Sequence, residues 1–251
     1  MPHRIQDSVA LVTGANRGIG AAFVEGLIEA GARKVYAGAR RLESLQPLVD
    51  RYGDRVVPIQ LDVTDAAHVA AAAERADDVQ ILINNAGVAG HAGVMITDSA
   101  SAEFERTEFE VNVFGLMAVS RAFAPVLAAN GGGAIANLGS VASLVNFPLF
   151  QTYSASKAAA HSITQALRVA LPNTLVLGVY PGPIDTDMAK DVPFEKTAPI
   201  EVARATLAAI EAGDEEVFPD PMAKEMGAGF LADPKGLERQ VQAMAAEGAA
   251  A

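Results

Sequence analysis

Short apolar runs alternate with longer segments of helical periodicity along most of the chain. This alternation constrains the fold most, because strands joined by helical crossovers form a parallel sheet with helices on both faces. The pattern predicts an α/β fold with a doubly wound, seven-stranded parallel sheet, whose ligand binds at the carboxyl ends of the strands. The predicted strands cover residues 9–13, 34–39, 56–61, 79–83, 133–138, 175–180 and 216–218. The predicted helices lie near residues 18–30, 43–52, 66–76, 103–129, 152–171 and 199–212.

The chain is predicted to form one domain over residues 1–251. Its 251 residues, 51% of them hydrophobic, are enough for a single large core. No linker or internal repeat divides it. Residues 221–251 are expected to form a C-terminal helical extension, helical over about 221–243, with an alanine-rich end that frays. The sequence leaves the role of this extension open.

Composition excludes several classes of function. The chain has no Cys, so it has no disulfide, thiol nucleophile or thiolate metal site. A formal charge of −11 argues against a nucleic-acid partner or an anionic membrane surface. Neither a signal-type segment nor an uninterrupted apolar run of about 18 residues is apparent. We therefore expect a soluble, cytoplasmic protein with no membrane partner, and no metal site, because the histidines form no ligand cluster.

A glycine-rich turn follows the first predicted strand. Gly14, Gly18 and Gly20 stand between the strand at 9–13 and the helix near 18–30. Glycine permits the tight turn and the close approach of backbone to a pyrophosphate, and the helix N-terminus attracts the anion. Taken alone, the motif could also be a turn without a ligand.

Tyr153 and Lys157 stand four residues apart in a predicted helix, with Ser140 upstream. Residues at this spacing share one helix face, so the Lys157 ammonium can lie beside the Tyr153 phenol. A positive charge there favours the phenolate, so we expect the pKa of Tyr153 to fall toward neutral pH. An aromatic residue and a lysine at helical spacing are more often a core residue and a solvated one.

Taken together, the motifs resemble those of the short-chain dehydrogenase/reductase family, over residues from about 8 to 220. The motifs are Thr13-Gly14-x-x-x-Gly18-x-Gly20, Asn84-Asn85-Ala86-Gly87, Asn112, Ser140, Tyr153-x-x-x-Lys157 and Pro181-Gly182. The resemblance implies a Rossmann-type fold and a nicotinamide cofactor. It implies that Ser140 stabilises the substrate oxygen, Tyr153 moves the proton, Lys157 lowers the Tyr153 pKa and binds the ribose, and Asn112 kinks its helix and holds a relay water.

The resemblance also implies the cofactor contacts. Asp62 is expected to bind the adenine, although it could instead cap the next helix, a task that Thr64 or Asp65 suits better. The full set of expected cofactor residues is Gly14, Asn16, Arg17, Gly18, Ile19, Gly20, Arg40, Arg41, Asp62, Val63, Asn85, Ala86, Gly87, Tyr153, Lys157, Pro181, Gly182, Ile184 and Thr186.

Charge at the end of the second strand indicates which nicotinamide cofactor is used. A carboxylate there holds the ribose hydroxyls of NAD and repels a 2′-phosphate. This chain has Ala39 at that position, followed by Arg40 and Arg41, and Arg17 lies in the glycine turn. Guanidinium groups bind phosphate through charge-assisted hydrogen bonds. The prediction is NADP(H), with solvated surface arginines as the alternative.

The substrate pocket is expected to be lined mainly by apolar side chains, namely His91, Val141, Leu144, Phe147, Gln151, Tyr180 and Met188. This lining favours a neutral, fairly hydrophobic ketone or aldehyde and its alcohol. The predicted function is therefore an NADP(H)-dependent carbonyl reductase or alcohol dehydrogenase. A 3-oxoacyl-thioester reductase and a non-catalytic NADP(H)-binding regulator are the alternatives. The long helices near 103–129 and 152–171 resemble the family's dimer interface, which predicts a homodimer or homotetramer.

Overall fold

One parallel sheet of seven strands forms the centre of the computed structural model, which describes residues 3–90, 92–190 and 194–248. The strands are β1 (Val9–Thr13), β2 (Lys34–Ala39), β3 (Val56–Gln60), β4 (Ile81–Asn84), β5 (Ala134–Leu138), β6 (Leu175–Val179) and β7 (Glu216–Val217). Their order is β3-β2-β1-β4-β5-β6-β7, and each neighbouring pair is parallel. The strand order reverses between β1 and β4, which is where such sheets bind ligands.

Nine helices lie within the described residues. They are α1 (Gly18–Glu29), α2 (Gln46–Tyr52), α3 (Ala66–Arg75), α4 (Ser101–Phe109), α5 (Leu116–Ala129), α6 (Gln151–Ala170), α7 (Pro199–Ala212), α8 (Pro221–Ala232) and α9 (Pro234–Gly248). The fold class and each predicted strand and helix are confirmed, with bounds that differ by one or two residues at most ends.

Alternate residues of β1 serve the two faces of the sheet. Ala10 and Val12 pack in one buried cluster with α1 and α7, whereas Val9 and Leu11 pack in the other with α3 and α5. Successive strand side chains point to opposite faces, and helices cover both, so β1 is apolar throughout. The expectation of a sheet covered on both sides follows from that uninterrupted apolar run.

Asp65 begins α3. Its side chain accepts hydrogen bonds from the backbone N–H groups of Ala67 at 2.8 Å and His68 at 3.1 Å, and these bonds lower the pKa of the carboxyl. Asp62 instead accepts from the backbone and hydroxyl of Thr64. Asp65 is therefore the N-cap of α3, and Asp62, which lies just after β3, does not cap this helix.

Helices α4 and α5 are joined by a π-helical turn, Glu110–Gly115, that contains Asn112. The stretch Phe104–Ala129 is long and apolar enough to cross a membrane by length and composition alone. Val119, Phe123 and Leu127, however, are fully buried against the sheet. We therefore interpret the stretch as a core helix of the sheet's second face.

The C-terminal region forms a helical pair next to the substrate side of the sheet. Helices α8 and α9 are separated at Asp233, directly before Pro234. Their apolar residues Ala223, Met226, Leu237 and Val241 form a third buried cluster with Val141 and Val145. The sequence predicted a helical extension here and left its role open. The packing places the two helices beside the loop after β5. The alanine-rich end over residues 244–251 was predicted to fray, but α9 continues to Gly248, and residues 249–251 lie outside the described residues.

Candidate active site

A cavity of about 1720 Å³ opens at the carboxyl ends of the strands. Pockets for one small ligand are usually about 300–1,000 Å³, so this one has room for a dinucleotide and a substrate together. The predicted residues that line it are Gly14, Asn16, Arg17, Gly18, Ile19, Gly20, Arg40, Asp62, Val63, Asn85, Ala86, Gly87, Ser140, Val141, Phe147, Tyr153, Lys157, Pro181, Gly182, Ile184, Thr186 and Met188. The segments after six different strands contribute to this set.

Three residues predicted for the substrate pocket do not line the cavity. Tyr180 is only 1% exposed, because its ring stacks on Phe218 and its hydroxyl lies 2.7 Å from His161 Nδ1. Gln151 accepts a hydrogen bond from the backbone of Ile96 at 3.0 Å. Leu144, which is partly buried, is also absent from the lining. His91, the remaining substrate prediction, lies outside the described residues.

Two other predicted site residues also lie off the cavity wall. Arg41 is exposed and begins the short 3₁₀ turn Leu42–Leu45, where its carbonyl accepts the Ser44 hydroxyl at 2.6 Å. Asn112 is 2% exposed and lies behind Val88. Of Arg40 and Arg41, only Arg40 faces the cavity.

The glycine turn after β1 is a cradle that side chains would fill. Gly14 and Gly18 have φ of +63° and +54°, values that favour glycine. A Cβ on Gly20 would overlap the Gly14 carbonyl and lie 2.6 Å from Asn85 Nδ2. The Arg17 side chain makes no capping bond to α1, so the first-turn N–H groups are available to an anion. These residues therefore fit the pyrophosphate of a dinucleotide.

Thr13 and Asn85 fix this turn. The Thr13 hydroxyl accepts from the backbone N–H groups of Asn85 at 3.0 Å and Ala86 at 2.9 Å. The Asn85 side chain donates to the carbonyls of Thr13 at 2.9 Å and Gly14 at 3.1 Å. Asn85 was expected to contact the cofactor; it lines the cavity, and its side chain braces the backbone that surrounds the cradle.

Arg17 forms an ion pair across the mouth of the cavity. Its Nη1 lies 3.0 Å from Asp187 Oδ2, and the two side chains are 71% and 79% exposed. An exposed pair of this kind contributes only about 0–1 kcal/mol, so a phosphate can compete for the guanidinium. Ala39 and Arg40 line the cavity nearby, with no carboxylate at position 39.

Tyr153 and Lys157 lie on one face of α6, as their spacing predicts. The Lys157 ammonium donates to the Leu138 carbonyl at 2.7 Å and lies 5.7 Å from the centre of the Tyr153 ring. Lys157 is 5% exposed. Strand β5 therefore ends where it can hold the lysine beside the phenol.

The pKa of Tyr153 differs from the sequence expectation. Burial raises it to about 12, a hydrogen bond with Ser140 opposes this rise, and the carboxylate of Glu108 adds to it. Burial likewise lowers the pKa of Lys157 to about 8. The expectation that the Tyr153 pKa falls toward neutral pH was wrong for this structure, because loss of solvent raises it.

Ser140 caps a short turn and also faces the cavity. Its hydroxyl accepts from the Ala142 N–H at 3.1 Å and so caps the short turn Val141–Ser143. The same hydroxyl hydrogen-bonds Tyr153 and faces the cavity. Its own backbone N–H donates to Ser143 Oγ at 3.1 Å. The cap therefore fixes the serine next to the phenol.

Asn112 holds the loop after β4. Its Oδ1 accepts from the Val88 N–H at 2.9 Å, and its Nδ2 donates to the Val88 carbonyl at 2.8 Å and to Ser156 Oγ at 2.9 Å. The π-turn around it is the helix distortion that the resemblance implied. The water relay remains a prediction.

Sequence reasoning missed the contribution of the C-terminal helices. Met222 of α8 and Val241 and Met244 of α9 line the cavity. Leu237, Val241 and Met244 recur at helical spacing, which indicates one apolar face, but nothing in the sequence says what that face covers. In the structure, the third buried cluster packs this face against the loop after β5.

The doubly wound sheet, the glycine cradle at its switch point and the Tyr153–Lys157 pair define a dinucleotide-binding dehydrogenase. A profile of the short chain dehydrogenase family matches residues 8–196. The chain belongs to this family and is an enzyme that acts on alcohol or carbonyl groups.

Its relatives differ in substrate and cofactor. A short chain dehydrogenase from Burkholderia cenocepacia J2315, solved in complex with NADP, is 44% identical with a TM-score of 0.89, over 95% of this chain and 99% of that one. A short chain dehydrogenase/reductase from Burkholderia phymatum, in complex with NAD, is 27% identical with a TM-score of 0.82, over 95% and 96%. Galactitol 2-dehydrogenase (L-tagatose-forming) of Cereibacter sphaeroides is 38% identical over 193 residues, 74% of each chain.

Proposed function

We propose that this protein is an NADP(H)-dependent carbonyl reductase or alcohol dehydrogenase for a neutral, fairly hydrophobic ketone or aldehyde, with Tyr153 as the general acid/base. The observation that carries the proposal is that Ser140, Tyr153 and Lys157 line the same cavity as the glycine cradle. The cavity therefore joins a dinucleotide site to groups that can move a proton at an alcohol oxygen.

In reduction, the Tyr153 hydroxyl gives its proton to the substrate oxygen, and in oxidation the phenolate takes it back. Ser140 donates a hydrogen bond to that oxygen and stabilises the charge that develops on it. Lys157 has a pKa of about 8, so its ammonium is mostly protonated at neutral pH and would donate hydrogen bonds to the ribose hydroxyls of a bound cofactor. A bound nicotinamide supplies the hydride in reduction and accepts it in oxidation.

The preference for NADP(H) rests on charge. Ala39 supplies no carboxylate to hold ribose hydroxyls, and Arg40 faces the cavity with Arg17 close to the same region. Position 39 carries no acid, and Asp187, the carboxylate paired with Arg17, is exposed, so a 2′-phosphate can compete with it for the two cationic groups. The relative from Burkholderia cenocepacia holds NADP, whereas the one from Burkholderia phymatum holds NAD, so the fold by itself does not decide the choice.

The substrate preference rests on the apolar part of the cavity lining. The side chains that form it are Val141, Phe147, Leu149, Met188, Phe194, Met222, Val241 and Met244. Arg106 and Lys190 also border the cavity, but both are exposed to solvent. A wall of this kind offers few hydrogen bonds to a polyhydroxylated or carboxylate-bearing substrate. Each buried methylene of a neutral ketone contributes up to about 0.8 kcal/mol.

Tyr153→Phe tests the proposal. Purified protein is incubated with NADPH and a panel of neutral ketones, aldehydes, carboxylate-bearing analogues and 3-oxoacyl thioesters. Loss of the phenolic proton is expected to lower kcat by about 10² to 10⁴, the usual range for acid/base catalysis, while NADPH still binds. Tyr52→Phe removes a hydroxyl that lies away from the cavity and serves as the matched control. Turnover retained by Tyr153→Phe, or better use of the charged substrates, contradicts the proposal.

We also propose that two copies pair through the face made by α4, the π-turn and α6. Phe114 is 54% exposed there, and it borders a shallow groove with Ile96, Phe109 and Ala155. Exposed aromatic and aliphatic groups at one place favour association of like faces, as a homodimer or a tetramer of dimers. Light scattering at micromolar concentration is expected to give a multiple of 26.0 kDa. A monomeric mass rejects this assembly.

A further inference from the structure

Glu108 is a buried carboxylate that the proposed reaction does not use. It lies on α4 and is 1% exposed. Its Oε1 accepts the backbone N–H of Gly90 at 2.7 Å, while its Oε2 is buried without a hydrogen-bond partner among the described residues. Burial of an incompletely paired carboxylate is unfavourable and rare, so its presence beside an active site needs a physical reason.

The first reason lies in the loop after β4. Glu108 and Asn112 are one helical turn apart, and together they hold this loop by hydrogen bonds to Val88 N, Val88 O and Gly90 N. Val88, Ala89 and Gly90 line the cavity. The two side chains therefore fix one wall of the pocket to the helix that packs against α6.

Gly90 shows how close this contact is. A Cβ on Gly90 would lie 2.9 Å from the Phe104 Cβ and 3.3 Å from Glu108 Oε1. Only glycine lets the backbone approach α4 so closely without a shift of the loop. The glycine and the carboxylate therefore form one close contact.

The second reason is electrostatic. The Glu108 carboxylate raises the pKa of Tyr153 and so favours the protonated phenol. On the helix of Tyr153 itself, Lys157 is the charged neighbour, with its ammonium bound to the Leu138 carbonyl. Arg106, Glu110 and Lys190 also border the cavity, but they are exposed and screened by solvent.

We propose that Glu108 is a positioning residue, which fixes the Val88–Gly90 wall of the cavity and places a buried carboxylate behind the wall of the cavity that Tyr153 also lines. The proposal rests on the proposed function, because it assigns Glu108 a task in the reaction of Tyr153. It adds a residue on α4 that neither the glycine cradle nor the Tyr153–Lys157 spacing indicates.

Glu108→Gln separates the charge from the anchor. The amide oxygen can still accept from Gly90, so the loop and the KM for the ketone are expected to stay near those of the unmodified protein. Loss of the negative charge lowers the pKa of Tyr153. The alkaline decline of kcat/KM in ketone reduction, and the alkaline rise in alcohol oxidation, are therefore both expected to move to lower pH.

Glu74→Gln is the matched control, since it removes one charge from an exposed position on α3 and is expected to leave both profiles unchanged. Profiles of Glu108→Gln that coincide with those of the control overturn the electrostatic part. Tyr153→Phe is measured in the same assays. If it is inactive while the Glu108→Gln and control profiles coincide, the role of Glu108 is rejected and the proposed function stands.

Gly90→Ala and Glu108→Ala test the anchor. Each is expected to raise the KM for the ketone by about tenfold or more, as expected for the loss of a hydrogen bond to a charged group, with a smaller change in the Kd for NADPH. Circular dichroism checks that the variants fold, and Gly90→Ala carries the test if Glu108→Ala does not. An unchanged KM in a folded variant overturns the anchoring part.

Discussion

Asp220 joins the C-terminal helices to the loop after β6, and its replacement is predicted to loosen both. The side chain is 3% exposed. Its Oδ2 accepts from the Gly182 N–H at 2.8 Å, and its Oδ1 accepts from the Ala223 N–H at 2.9 Å, which caps α8. A Cβ on Gly182 would lie 2.7 Å from Asp220 Oδ1, so the two segments are in close contact. One carboxylate therefore fixes the loop that lines the cavity and the start of α8.

The magnitude follows from the two bonds. Loss of the partner of a buried backbone N–H costs about 1–3 kcal/mol, and the cap contribution of about 1 kcal/mol overlaps with the Ala223 bond. Asp220→Ala is therefore expected to lower the free energy of unfolding by about 2–4 kcal/mol. Asp220→Asn keeps one acceptor and is expected to cost less.

Asp233→Ala is the matched control, because Asp233 accepts from the Gly236 N–H at 2.9 Å beside α9 but is exposed. Its loss is expected to cost about 0.5–1 kcal/mol. Urea unfolding at fixed pH gives both values, and titration with NADPH is expected to show weaker binding for Asp220→Ala alone. Equal destabilisation by the two variants, or unchanged NADPH binding by Asp220→Ala, refutes the reasoning.

Two further predictions concern charge. The unmodified enzyme is expected to favour NADPH over NADH by about 10² or more in kcat/KM. Arg40→Ala combined with Ala39→Asp is expected to move the preference toward NADH. Equal use of both cofactors by the unmodified enzyme contradicts this prediction. Burial lowers the pKa of Lys157 from 10.5 to about 8, so between these values the unfolded chain binds more protons and stability rises with pH. Urea unfolding from pH 8 to 10.5 is expected to show this rise relative to Lys157→Met, and parallel curves for the two proteins argue against it.

The fold could be predicted because each signal was local. Val9–Thr13 is apolar on both faces, and the segment after the glycine turn has apolar residues at helical spacing. Both elements could therefore be predicted without knowledge of distant residues. The same holds for Asp65, whose preference for a helix start can be read without any tertiary contact. Strand order and the dinucleotide cradle then follow from the rules for parallel sheets.

The substrate wall could not be predicted in the same way, because it depends on contacts between distant segments. Tyr180 follows a strand whose end reaches the cavity, yet its ring turns into a cluster with His161 and Phe218. Val241 and Met244 reach the cavity only because α9 folds back over the loop after β5. Neither outcome has a signal in the spacing of the residues concerned.

The pKa of Tyr153 could not be predicted from the sequence either. The four-residue spacing of Tyr153 and Lys157 is visible in the sequence, whereas the burial that governs both pKa values is a property of the packed structure. At neutral pH the phenol keeps its proton and the ammonium is mostly charged, so the pair is ready to donate rather than to accept. In the proposed mechanism, carbonyl reduction uses that protonated form, and alcohol oxidation first removes the proton that burial and Glu108 both favour. We therefore expect reduction to proceed at neutral pH and oxidation to require alkaline conditions, which the pH profiles of the two directions test.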